Sequence, residues 1–491
     1  MDHILDTYYS GHIVLCGLDQ LGLRILEELR RLGEDVVVVA KSPPDEFASE
    51  ALSLGARLLD GDAHKESVLR SAGIDAANAF VITGNDDSDN LHIALAAQEL
   101  NPRLRIVISL FSRELGSKIH TLFRDCSVLS APAIAAPAFV AAALHEDWQQ
   151  RITVAGRPLV IRQASARDPD VLLPLARETV DGADELFPSN GDGLLCLKHG
   201  GSDRGGDHGW DTAHGRRRLG IRRLLGPMLQ LLSADPRLRL LLGLLAALAG
   251  VSVVIFRFWS GLDLITSFYF TVTVITTTGF GDISLLHAPG LVKLFGSFLM
   301  LVGAAALALT YALITDAIVT ARLARHAAAA RELSDHIVVC GLGNVGYTVV
   351  EAITRLGVPV AATEIDEEDP FLPSAHSLGV PVLLGDARLP ETLEALNIAS
   401  ARCVVAATND DMANLETALN ALSLNPDIRV VLRLFDPDFA ERVERAFGVH
   451  ISRSVSSLAA PAFAAAAVGE QVIATVPVGV QALIIASAVV E

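Results

Sequence analysis

At 491 residues the chain is too long for one compact core, and its length corresponds to about three or four domains. Hydrophobic residues make up 51% and the mean hydropathy is +0.42, which excludes intrinsic disorder and points to at least one segment in lipid. A formal net charge of −18 argues against a nucleic-acid partner, since phosphates select for a basic face.

The opening residues, Met1-Asp2-His3-Ile4-Leu5-Asp6, lack the basic-then-apolar pattern of a signal peptide. His12–Cys16 then reads as a short buried strand, Leu21–Leu32 has helical spacing, and Val36–Ala40 is a Val-rich strand. Ala56–Leu59, Ala79–Thr83 and Arg105–Leu110 follow as strands, separated by helical stretches such as Asn90–Glu99. Apolar strands alternating with helices predict a parallel sheet covered on both faces. This gives an α/β Rossmann-like domain over 10–140, followed by a C-terminal lobe over 141–200.

Residues 201–236 form a Gly-rich, basic linker in which Arg216, Arg217, Arg218, Arg222 and Arg223 cluster. His199, His208 and His214 are irregularly spaced and read as solvated side chains rather than a metal site. Two runs that are apolar around the whole helix circumference come next, giving spans over 240–259 and 291–319 of a pore domain at 237–322. Each nearly or fully crosses a hydrocarbon core of about 30 Å. Arginines flank both outer ends, and 259–290 contains no Lys or Arg. The hairpin therefore turns outside the cell membrane, with the rest of the chain cytoplasmic. The scattered Cys16, Cys126, Cys196, Cys340 and Cys403 agree, reading as reduced thiols.

Between the spans, Asp263 opens a short helix-like segment that leads to Thr277-Thr278-Gly279-Phe280-Gly281-Asp282. Glycines one residue apart let a backbone alternate between left- and right-handed φ, pointing successive carbonyls at one axis. Gly303, near the middle of the second span, is a candidate bend, although a small residue there serves helix packing equally well.

A helical, Ala/Arg-rich linker over 323–334 leads into a repeat of the first domain over 335–464. His12-Ile13-Val14 returns as His336-Ile337-Val338, Gly61-Asp62-Ala63 as Gly385-Asp386-Ala387, and Ala136-Pro137-Ala138-Phe139 as Ala460-Pro461-Ala462-Phe463, always at an offset of 324. About 128 residues repeat without an insertion, so both copies share one fold. A short or truncated C-terminal lobe is expected over 465–491.

The copies differ in chemistry. Copy two has the dinucleotide fingerprint Gly341-Leu342-Gly343-Asn344-Val345-Gly346, with Glu364 about twenty residues on to take ribose hydroxyls and Asp366 beside it. Asp386 and Asn409 join this candidate nucleotide site. In copy one Asp19 replaces Gly343 and Ala40 replaces Glu364, so no dinucleotide is expected there. Asp19 and Asp62 are weak candidates for a divalent-cation site that no spacing selects.

Thr277–Asp282, between two spans and behind a short helix, resembles the selectivity filter of tetrameric potassium channels, usually Thr-Val-Gly-Tyr-Gly-Asp. The chain departs from it at Thr278 and at Phe280, which lacks the hydroxyl that braces the filter from behind. The duplicated domain resembles the RCK (regulator of potassium conductance), or TrkA N-terminal, module, through 341–346, Gly385-Asp386-Ala387 and Thr408-Asn409-Asp410-Asp411. The resemblance implies a homotetramer in the bilayer with an eight-domain cytoplasmic ring, conducting K⁺ and gated by NAD(H), an adenine nucleotide or a divalent cation. The alternatives are a weakly selective cation channel of this architecture and a membrane-anchored NAD-dependent oxidoreductase. The latter lacks a substrate domain and has no use for the Gly-Phe-Gly loop.

Overall fold

The computed structural model describes residues 11–119, 122–144, 148–154, 156–165, 168–177, 185–188, 194–199, 236–435, 437–447, 451–478 and 481–487. The expected linker up to residue 235, with His208, His214 and the arginines at 216–223, lies outside the described residues. The chain forms two compact units, one of residues 1–208 with 327–491 and one of residues 209–326.

In the first unit, copy one builds a parallel sheet from β1 (Ile13–Cys16), β2 (Val36–Ala40), β3 (Arg57–Asp60), β4 (Ala79–Ile82), β5 (Arg105–Ser109) and β6 (Cys126–Leu129), in the order β3-β2-β1-β4-β5-β6. Every residue of β1, β2 and β4 is buried, as strands covered on both faces must be. The lobe that follows is antiparallel: β7 (Gln149–Val154), β8 (Arg157–Ala164), β9 (Val171–Arg177), β10 (Glu185–Leu186) and β11 (Leu194–His199), ordered β10-β9-β11-β8-β7. Copy two repeats the first sheet with β12 (Ile337–Cys340), β13 (Val360–Glu364), β14 (Val382–Leu384), β15 (Cys403–Ala406), β16 (Arg429–Arg433) and β17 (Ile451–Arg453). Even the register repeats, Ile13 opposite Val36 and Ile337 opposite Val360. The antiparallel hairpin β18 (Gln471–Val478) and β19 (Gln481–Ser487) follows.

The copies exchange helices. Ala131–Leu144 leaves copy one and packs on Asn344–Arg355 of copy two, while Val455–Ala467 packs on Gln20–Arg31 of copy one. The two exchanged helices also contact each other. Both are rich in Ala, carry an internal proline, and lack a polar face, because each is covered on nearly all sides. Phe139 and Phe463 are fully buried in one cluster shared by both copies, each stabilising it by about 2–3 kcal/mol through burial. Arg429 Nε donates to the Ala142 carbonyl at 2.6 Å, closing the end of the exchanged helix, and Gln150 Nε2 donates to Thr475 O at 3.1 Å.

The second unit contains a helix over Pro236–Trp259, a short pore helix over Leu264–Ile275, and most of an inner helix over Gly290–Arg331. Arg239–Trp259 and Gly290–Thr315 are long and apolar enough to cross a membrane, and each is only 11% buried within the chain. Phe256, Phe270, Val274, Ile275, Val292 and Leu299 form the local core, with the Phe256 and Phe270 rings edge to face at 4.9 Å. The inner helix continues without a break through residue 303 and through most of the expected linker.

Candidate functional site

Asp263 caps the pore helix by accepting from the Ile265 and Thr266 N–H groups at 3.1 and 3.3 Å. At the other end the chain leaves the helix gradually, with the Thr277 N–H bonded to Val274 O at 3.2 Å and the Thr278 N–H to Thr273 O at 3.0 Å. Beyond this, φ is +59° at Thr277, +48° at Gly279 and +80° at Gly281. Left-handed backbone thus recurs at every second residue. Glycine meets that conformation without strain, and nothing lies within 4 Å of a β-carbon placed at 279 or 281, so backbone angle rather than space calls for glycine there.

The two departures from the usual filter pattern are accommodated locally. The Thr278 hydroxyl lies 2.8 Å from that of Thr276, which also donates to Val272 O. Where Phe280 lacks a hydroxyl, Tyr269 on the pore helix donates to Asp282 Oδ2 at 2.9 Å. Sequence reading missed Tyr269, whose only signal was an aromatic hydroxyl thirteen residues before an acid.

In copy two, Gly341 (φ +89°) makes the turn after β12, and a β-carbon there would meet Thr408 Cγ2 at 2.9 Å. A β-carbon on Gly346 would overlap the Gly341 carbonyl oxygen, which fixes glycine at that position. Gly343 instead faces open space at the start of helix Asn344–Arg355, where free N–H groups and the positive dipole end favour a phosphate. Glu364, buried at the end of β13, accepts from Leu342 N at 2.6 Å, Ile365 N at 2.8 Å and Asp366 N at 3.1 Å. Its carboxylate is thereby tied to the glycine turn itself.

Gly341, Glu364, Asp386, Arg388, Thr408 and Asp410 line one cleft of about 230 Å³. Arg388 grips both oxygens of Asp386, the shortest contact being 2.7 Å, and holds that carboxyl below the usual range. The open approach at Gly343 and the placed acid fit the adenosine and phosphate part of a nucleotide. Asp366 and Asn409 do not line the cleft: the Asp366 carboxylate accepts from Glu368 N, and Asn409 Oδ1 accepts from Arg433 at 2.6 Å. Val345 is buried and Asn344 begins the helix. Sequence reading overlooked Arg388, visible only as the counterpart of His64.

Copy one has the same turn with different chemistry. The Asp19 carboxylate stands where Gly343 leaves space and caps the next helix through Gly22 N at 2.9 Å, while burial pushes its pKa up. Asp62 accepts from His64 at 2.8 Å and from Lys41 at 3.4 Å; the histidine bond is the main cause of its pKa falling to about 2. Both weak cation candidates are thus engaged within the chain. Among the described residues no group of three His, Cys, Asp or Glu is placed to hold a metal.

A TrkA-N domain model matches residues 13–125 and 337–455, and an ion channel model matches 241–320. Probable potassium channel protein 2 of Methanocaldococcus jannaschii is 29% identical over 189 residues, 35% of this chain and 52% of that protein. The voltage-gated potassium channel Kch of Escherichia coli is 27% identical over 118 residues, 24% of this chain and 28% of Kch. The chain thus spans about half or less of the length of these curated relatives. The GsuK channel structure has a TM-score of 0.57 at 14% identity, covering 94% of this chain and 64% of GsuK, and GsuK bound to NAD scores 0.55 with the same coverage. That likeness is one of fold. With one TrkA-N domain on each side of an ion channel domain, the chain is homologous to potassium channel proteins with RCK domains.

Proposed function

We propose that four copies of this chain form a potassium-selective pore in the cell membrane, gated by nucleotide binding to cytoplasmic TrkA-N domains. The observation that carries the reading is the left-handed backbone at Thr277, Gly279 and Gly281, behind a capped pore helix and between two apolar spans. One hairpin supplies a quarter of a carbonyl ring, and fourfold symmetry closes it. Backbone carbonyls of Thr277, Thr278, Gly279, Phe280 and Gly281 then replace the hydration shell of K⁺, while Tyr269 steadies Asp282 at the end of the filter. Two TrkA-N domains per chain, near 10–140 and 335–464, make a ring of eight.

Copy two would hold NAD(H) or an adenine nucleotide. The backbone at Leu342–Asn344 faces the phosphates, Glu364 the ribose hydroxyls, and Asp386 with Arg388 borders the adenosine side. When bound, the nucleotide supplies only differential affinity for open and closed rings, which is all that gating needs. The unbroken helix Gly290–Arg331 transmits displacement where a flexible linker would absorb it. That GsuK binds NAD, and that the curated relatives are potassium channels, supports both halves of the reading.

The test is K⁺ flux into liposomes carrying the full chain, with and without NAD⁺, NADH, ATP, ADP or AMP. Wild type should pass K⁺ in preference to Na⁺, and Gly279→Ala should not conduct. Absence of flux from the wild type under every ligand would end the proposal. Equal K⁺ and Na⁺ flux would establish the weakly selective channel instead.

A further inference from the structure

The candidate filter hangs from the last turn of the pore helix. Thr273 O accepts both the Thr278 N–H at 3.0 Å and the Gly279 N–H at 3.3 Å, so one carbonyl fixes two successive filter residues. The helix ends two residues beyond Thr273, at Ile275. Against that last residue lies Gly303 of the inner helix. A β-carbon on residue 303 would stand 3.0 Å from Ile275 Cα, 3.3 Å from its carbonyl oxygen and 3.6 Å from its Cβ.

Two of those three atoms are backbone, so no change of rotamer relieves the contact. The surroundings are closed as well. Leu299, one turn earlier on the inner helix, is fully buried in the same cluster as Val274 and Ile275, so the two helices are packed together at the turn beside this contact and a shift of one is felt by the other. The inner helix also remains α-helical through Gly303. What this glycine provides in the structure is close approach of two backbones, not a break.

We infer that Gly303 is a positioning residue for the filter. Its missing side chain lets the inner helix bear on the Ile275 backbone, and through the Thr273 carbonyl this sets where Thr278 and Gly279 sit in the carbonyl stack. The inference rests on the proposed conduction through Thr277–Gly281. It adds that any displacement of the inner helix is felt within the filter itself, not only in the width of the pore below it.

Single-channel recording of the full chain in bilayers tests this. Gly303→Ala should change the unitary K⁺ conductance or the K⁺/Na⁺ permeability ratio by about fivefold or more, the factor that corresponds to the low end of an overpacking cost, with nucleotide affinity unchanged. A hinge at 303 makes the opposite demand: altered open probability, unaltered permeation, and recovery when Ala304→Gly returns a glycine to the same turn. Under the positioning role the double variant keeps the Gly303→Ala phenotype, and Ala304→Gly alone conducts like wild type. Recovery in the double variant, or unaltered permeation in Gly303→Ala, overturns the inference. If Gly303→Ala does not assemble as a homotetramer, placing it in one subunit of four by joining it to wild-type copies keeps the test open; a changed permeability ratio then supports the inference, and an unchanged one overturns it. A wild-type chain without K⁺ current would instead end the channel reading beneath it, so the two failures are distinct.

Discussion

In copy two the turn at 341–346 leaves open space at Gly343, and Glu364 reaches back to the Leu342 N–H. In copy one the same turn carries Asp19, folded onto the Gly22 N–H, and Ala40 offers no acid at all. The two backbones superpose strand for strand in order and register. The chemistry of the turn thus differs between the copies through two side chains while the architecture stays fixed, and on the proposed reading those two side chains decide which copy holds nucleotide. A capping carboxylate achieves the first change while stabilising the helix it closes.

The largest test of this comparison acts on what the copies share. A β-carbon at Gly346 or at Gly22 would overlap the carbonyl of the preceding turn, so Gly346→Ala and Gly22→Ala should each destabilise by about 1–3 kcal/mol or more in denaturant melts. Only Gly346→Ala should also abolish nucleotide binding. Glu364→Gln comes next. Losing a buried, charge-assisted bond to the turn should weaken nucleotide binding about ten- to hundredfold by calorimetry, while the corresponding change in copy one, Ala40→Gln, should leave it unaltered. Conversely, Asp19→Gly combined with Ala40→Glu should create measurable binding in copy one, at a cost of a few tenths of a kcal/mol for the lost cap. If that pair binds nothing, the two side chains are not what separates the copies.

A smaller effect depends on pH. His336 is fully buried, its Nε2 bonded to Leu396 O at 2.9 Å, and burial holds its pKa below that of free histidine. The unfolded chain then binds more protons than the folded one below roughly pH 6.5, so this stability is full above that pH and declines on acidification. The melting temperature should be lower at pH 5.5 than at 7.5, and the gap should narrow in His336→Gln. Smallest of all, Asp62→Asn removes a solvent-screened pair and should leave both the melting temperature and the nucleotide affinity unaltered.

Much of this was legible in the sequence because it lies in local periodicity. Val-rich runs betray strands covered on both faces, a register of 324 residues betrays the duplication, and charge-free runs betray the spans. The filter's glycines announce a backbone angle, and the structure extends the same alternation to Thr277. What sequence does not carry is choice of partner. Ala131–Leu144 is apolar on every side, which says that it is buried but not against which copy, since both copies offer similar helices. The edge strands β6 and β17 went unrecognised because they are short and flanked by helices that compete for the same apolar residues. Tyr269 with Asp282 and Arg388 with Asp386 escaped for a related reason: their meaning is a distance, not a spacing.

The exchange of helices also sets an order of events during synthesis. Ala131–Leu144 emerges from the ribosome long before Asn344–Arg355, the surface that covers it, and Val455–Ala467 follows some 320 residues behind. At translation rates of about 5–20 residues per second that interval lasts roughly 15–65 s. For about the first two-thirds of it, until Asn344–Arg355 is complete, the first domain presents an uncovered apolar helix while the spans Arg239–Trp259 and Gly290–Thr315 are being made. The nascent chain should therefore be a client for holding chaperones until its own second half arrives, and a chain stopped after residue 200 should be less soluble than its composition alone would imply.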